Sequence, residues 1–134
     1  MNALETQVGG SHYKDMRFQP IELISLLGLD FFQGNVVKYV ARHYAKGGRD
    51  DLDKALHYCQ LAMSYGYGRG RQPTKAQTAR IAVFVSMNSL PAYTTKRFSR
   101  LISEGLMCRN WDLAMEIIEE IAQDYDAQAC STDN

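Results

Sequence analysis

Apolar residues along this chain recur at intervals of three and four, and no segment alternates convincingly as a half-buried strand does. Pro20 fits the first turn of a helix that runs to about Leu27 and is stopped by Gly28. Asp30 is placed to cap a second helix, roughly Phe31 to Ala45. Lys46-Gly47-Gly48-Arg49 reads as a turn, after which Asp50 or Asp51 caps a third helix to about Tyr65. The short connection predicts that the second and third helices pack as an antiparallel hairpin.

Gly66 to Pro73 is the clearest linker. Thr74 caps a fourth helix, about Lys75 to Leu90. Ile81 to Val85 alone would suit a short buried strand, but apolar residues at 76, 79, 83, 87 and 90 follow the helical period. Pro91 ends this helix, and Thr94 or Thr95 caps a fifth that Gly105 closes. The last helix, about Asn110 to Tyr125, puts Trp111, Ala114, Met115, Ile118, Ile121, Ala122 and Tyr125 on one face. Asp112, Glu116, Glu119 and Glu120 lie opposite. The pattern predicts an all-α chain with no substantial sheet. Its parts are a helical module over 1–65 with an irregular start, a linker over 66–74, a helical region over 75–126 and a disordered tail over 127–134.

Composition adds bounds. The chain has 134 residues, 46% hydrophobic and 22% charged, which suits one globular unit with a core of its own. No apolar run reaches the ~18 residues of a membrane span, and the first residues lack the pattern of a secretory signal. Cys59, Cys108 and Cys130 are far apart and odd in number, which argues against a disulfide framework or a zinc site and for a reduced, cytoplasmic setting.

Charge changes the picture more. Net charge is zero, yet residues 54–103 carry eight Lys/Arg and no Asp or Glu, while residues 104–134 carry eight acids and one Arg. The basic middle either pairs with the acidic end, within one chain or between subunits, or offers a surface to an anion. The apolar stripe of the last helix also asks for a partner surface, and a second copy of the chain would supply one. A homo-oligomer is therefore expected.

The most informative stretch is Gly34 to Arg42. Asn35, Lys38, Tyr39 and Arg42 fall at i, i+3, i+4 and i+7 and line one helical face. The next helix offers Asp51, Lys54, Ala55 and Tyr58 at the same spacing. In a hairpin the two rows meet as a cationic seam with one carboxylate. Arg and Lys suit phosphate, Asn a base or sugar edge, and Tyr a stacked base. The plainer alternative is an ion-pair seam of Lys38 or Arg42 with Asp51. Lys46 to Arg49 resembles a phosphate-cradling turn only weakly, because Asp50, Asp51 and Asp53 follow it. His12 suits a proton donor, a phosphate ligand or a hydrogen-bonding anchor, and His43 and His57 read as surface or seam residues. Glu116 and Glu119 lack a facing carboxylate helix beyond Asp50 and Asp53, so no metal is expected. Thr95 to Arg100, with Arg69 and Arg71 upstream, admits a helix-turn-helix reading.

Four blocks, Ser11-His12-Tyr13, Gln19 to Glu22, Gly34-Asn35-x-x-Lys38-Tyr39-x-x-Arg42 and Asp51-Leu52-x-Lys54-Ala55-x-x-Tyr58, resemble a family of small bacteriophage proteins of unknown function called SaV-like. The resemblance covers about residues 7–65. The same blocks are similar to the C-terminal part of the nucleotide kinase of T-odd coliphages, an oligomer that phosphorylates deoxynucleoside monophosphates without a Walker motif. The resemblance implies a phage protein acting on nucleotides in the cytoplasm of an infected bacterium. His12 and Asp51 would then be catalytic candidates, and Asn35, Lys38, Tyr39, Arg42 and Lys54 would hold the nucleotide. No cofactor is firmly implied, although a nucleoside triphosphate would be the donor if phosphoryl transfer occurs. The alternatives are a non-enzymatic phage protein that inhibits a host defence or host enzyme, and a helix-turn-helix DNA binder. No membrane association is expected.

Overall fold

The computed structural model describes Ala3, residues 16–66 and residues 68–132. It is helical, and the described residues contain no strand. The helices are α1 (Pro20–Leu27), α2 (Phe31–Arg42), α3 (Gly48–Tyr65), α4 (Lys75–Asn88), α5 (Ala92–Arg100) and α6 (Trp111–Thr132), with a π-helical segment, Leu101–Leu106, continuing α5.

Local chemistry sets the boundaries. Gly28 ends α1 in the left-handed region, and the Leu29 N–H closes back on the Ile24 carbonyl at 3.1 Å. Asp30 and Gln33 form a reciprocal capping box at the start of α2, Gln33 N–H to Asp30 at 2.8 Å and Asp30 N–H to Gln33 at 2.9 Å. The Gln33 amide also donates to the Leu106 carbonyl at 2.8 Å, so one cap ties the first hairpin to the second half of the chain. Helix α2 stops at Arg42, short of the expected Ala45.

Neither Asp50 nor Asp51 caps α3. Gly47 is the N-cap, and Asp51 reaches back from inside the first turn to accept the Gly47 N–H at 3.0 Å. A Cβ on Gly47 would stand 2.1 Å from the Asp51 carboxyl carbon, so only glycine admits this contact.

The α2/α3 hairpin packs through Val36, Val37, Val40 and Ala41 against Leu52, Ala55, Cys59 and Ala62, all buried. The row on α3 follows a 3-4-3 spacing of mainly small side chains, which brings the two axes close. Helix α6 covers the hairpin with Ala114, Ile117, Ile118, Ile121 and Ala122. The stripe that seemed to need a second subunit is thus covered by α3, α5 and the π segment of the same chain. Core residues from both sides of the 66–74 segment lie in a single cluster.

Four expectations are corrected here. The buried face of α4 is Ile81 and Phe84, with Val83 exposed, because Phe84 stacks on Phe98 and meets Phe18 edge-on. Helix α5 begins at Ala92 after Pro91, and Thr94 lies buried inside it rather than capping it. Gly105 does not close that helix. A Cβ there would stand 3.1 Å from the Ala114 Cβ, so its role is close packing on α6, and the reversal falls at Arg109 with φ 54°. Finally, α6 stays helical to Thr132, so the frayed tail expected from 127 is helix as far as that residue.

Candidate functional site

The hairpin brings the two predicted rows together. The Lys38 ammonium lies 4.4 Å, the Arg42 guanidinium 4.8 Å and the Lys54 ammonium 5.5 Å from the centroid of the Tyr39 ring. Tyr39 stacks on Tyr58 at 5.9 Å with 19° between the rings, and Phe31 meets Tyr58 edge-on at 5.7 Å. Tyr39, Tyr58 and Lys38 are half-buried, and Lys54 and Phe31 are exposed. Each cation gains roughly 0.5–1 kcal/mol from the ring at an exposed site.

The three cations are not equivalent. Arg42 grips Asp51 with two parallel bonds, Nε to Oδ2 at 3.0 Å and Nη2 to Oδ1 at 3.1 Å. Asp51 is 1% exposed at its side chain, and its Oδ2 also takes the Gly47 N–H. The carboxylate is spent on the hairpin turn, as the ion-pair reading of the seam holds for this end. Lys38 and Lys54 have no carboxylate partner among the described residues.

Asn35 lies apart from the cluster. Its amide donates to the Phe31 carbonyl of its own helix at 2.7 Å. His12 lies outside the described residues.

Below Arg42, His43 is buried, which corrects its reading as a surface or seam residue. Nδ1 is 2.6 Å from the Val40 carbonyl, which can only accept, so Nδ1 carries the proton. Nε2 then accepts from the Tyr93 hydroxyl at 2.8 Å. Burial holds this histidine below its ordinary 6.5, against the opposing pull of the Val40 carbonyl and Asp51. Burial likewise pushes the Cys59 thiol up to about 12, so it is an inert core group.

The other candidate chemistry is taken up inside the chain. Arg97 pairs with Glu120 at 3.1 Å and Asp124 at 2.6 Å, and Arg100 pairs with Glu104 at 2.8 Å, which leaves Lys96 as the unpaired cation of the basic helix. Arg49 pairs with Asp53 and Asp126. Part of the basic middle thus meets the acidic end within one chain. Among the described residues no group of three or more His, Cys, Asp or Glu is placed to hold a metal. No helix among them is long and apolar enough to cross a membrane.

One feature of the surface escapes periodicity. Arg69, Arg71 and Arg109 line a cleft of about 430 Å³ with Leu27, Leu29 and Gln77. Its residues come from three separate stretches, 27–33, 69–77 and 107–109, and the signal in the sequence is the alternation Gly68-Arg69-Gly70-Arg71.

No curated protein and no solved structure matches the chain. One family model does, over residues 8–60, a span that holds all four blocks of the resemblance and every seam residue from Asn35 to Tyr58. The chain therefore carries a DUF3310 domain, described as a protein of unknown function, at residues 8–60.

Proposed function

We propose that this protein is a phage nucleotide-binding protein that takes the phosphate of a deoxynucleoside monophosphate on the Tyr39 face. The observation that carries the reading is the convergence of Lys38, Arg42 and Lys54 on one tyrosine ring, with the nearby carboxylate turned away to Arg42. Arg42 and Asp51 fix the hairpin, Lys38 and Lys54 hold the phosphate as point charges, and Tyr39 sets their spacing. The similarity of the same blocks to a phage nucleotide kinase agrees with this ligand class.

Binding without phosphoryl transfer is the form proposed. Transfer is mainly positioning and charge neutralisation, and a carboxylate would have to help hold the magnesium ion that bridges the donor phosphates. Asp51 is engaged by Arg42 and Gly47 and has no free face for that role. The test is calorimetry of the full chain with deoxynucleoside monophosphates. Lys38→Ala and Lys54→Ala should each weaken binding by about tenfold, the worth of one charge-assisted hydrogen bond. Unchanged affinity in both would overturn the site. Formation of a nucleoside diphosphate from added triphosphate and magnesium would overturn the restriction to binding.

A second reading, a non-enzymatic protein docking on a host protein, is favoured by one observation. Ile21 and Phe31 are 59% and 67% exposed, large apolar side chains on the surface.

A further inference from the structure

The segment after α3 reads as a flexible linker, yet it is pinned. Gly68 has φ 87°, and a Cβ there would stand 2.9 Å from the Arg109 Cζ. A Cβ on Gly70 would stand 2.0 Å from the Cys108 carbonyl oxygen. The Arg71 N–H donates to the Met107 carbonyl at 2.8 Å. The two glycines let the strand of backbone lie flat on the turn before α6. That fixes where the alternating Arg69 and Arg71 side chains leave it.

Both side chains line the cleft of about 430 Å³, a volume within the ~300–1,000 Å³ of small-molecule sites. No Asp or Glu is among its lining residues. The back wall is Arg109, held by Asp30 at 2.5 Å, with Leu27, Leu29 and Met107 as apolar lining. Gln77 spends its amide oxygen on the Thr74 N–H at 2.9 Å, which leaves its amide nitrogen as a donor beside the arginines. Arg69 and Arg71 make no ion pair among the described residues.

We propose that this cleft is a binding site for a small phosphomonoester, whose phosphate is gripped by Arg69 and Arg71 and whose apolar body lies on Leu27, Leu29 and Met107. Guanidinium forks match phosphate oxygens bidentately, and the pinned backbone lowers the ordering cost of bringing two of them together. A concave wall with an apolar side favours a compact ligand over an extended polyanion. The site is separate from the Tyr39 face and does not rest on it.

The test is amide NMR of the full chain titrated with phenyl phosphate and, separately, inorganic phosphate. Phenyl phosphate should move the amides of Leu27, Gly28, Leu29, Gln77 and Arg109, and should bind about tenfold more tightly than inorganic phosphate. The Arg69→Gln/Arg71→Gln pair, both exposed and bonded only through backbone, should lose at least about tenfold in affinity. Shifts at these cleft amides should be the same in the Lys38→Ala/Lys54→Ala pair, whatever happens on the Tyr39 face. Absence of shifts at the cleft amides of the wild-type chain would overturn the site, whatever the variants do. Equal affinity for the two phosphates would overturn the apolar subsite. If the arginine pair instead loses affinity for single-stranded DNA, with phenyl phosphate unbound, the proposal also falls.

Discussion

The Tyr39 face and the arginine cleft hold positive charge in opposite ways. On the Tyr39 face the cations sit on an aromatic ring at the open side of a hairpin, and one of the three is locked to a buried carboxylate. In the cleft Arg69 and Arg71 come from a glycine-rich strap, line a hollow and meet no lining carboxylate, while Arg109 behind them is held by Asp30. The first region couples charge to folding, because Asp51 and Arg42 hold the α2/α3 turn. The second leaves Arg69 and Arg71 outside any ion pair among the described residues. Stability and binding should therefore respond in opposite order to substitutions in the two places.

The largest effect should come from breaking the lock. Asp51→Ala removes the buried carboxylate that Arg42 grips and the acceptor of the Gly47 N–H. A broken buried pair costs about 3–5 kcal/mol, to be read from chemical denaturation. Arg42→Ala should also destabilise, since it strands a buried carboxylate, so loss of binding in that variant is not evidence about phosphate. The Arg69→Gln/Arg71→Gln pair should stay within about 0.5 kcal/mol of wild type.

Next comes the strap. Gly70→Ala places a Cβ against the Cys108 carbonyl, so the backbone must lift. A cost of about 1–3 kcal/mol is expected from such overpacking, with loss of phenyl phosphate binding and an unchanged Tyr39 face by NMR.

A smaller effect separates the regions by pH. His43 lies beneath the locked end and is neutral when folded, its affinity for a proton lowered by burial. The unfolded chain binds that proton at about 6.5 and the folded chain only below it. Stability from the neutral ring is therefore complete above 6.5 and is lost as the pH falls below it, by up to about 1.4 kcal/mol per pH unit. Denaturation midpoints from pH 7.5 to 5 should show this fall, and His43→Gln should flatten it.

The two regions also differ in how far the sequence discloses them. Asn35, Lys38, Tyr39 and Arg42 announce one face because a helix repeats every 3.6 residues, and the Asp51 row does the same. Three of the cations in those rows do converge, while Asn35 turns to its own backbone. The cleft has no period to follow, since Leu27, Arg71, Gln77 and Arg109 meet only through tertiary packing. The all-α class and most helix starts follow from caps and spacing. The face of α4 does not, because Ile81 to Val85 is apolar all round, and only the aromatic partners Phe18 and Phe98 choose Phe84. Periodicity likewise shows that α6 needs a partner, but not that α3 and the π segment of the same chain supply it.

The central claim is that the Tyr39 face holds the phosphate of a nucleotide through Lys38 and Lys54. Amide NMR of the full chain with a deoxynucleoside monophosphate tests it most directly. Shifts at Lys38, Tyr39, Lys54 and Tyr58 should vanish in Lys38→Ala/Lys54→Ala and persist in Arg69→Gln/Arg71→Gln. Shifts at these four positions that survive the lysine pair, or their absence from the wild-type chain, would contradict this.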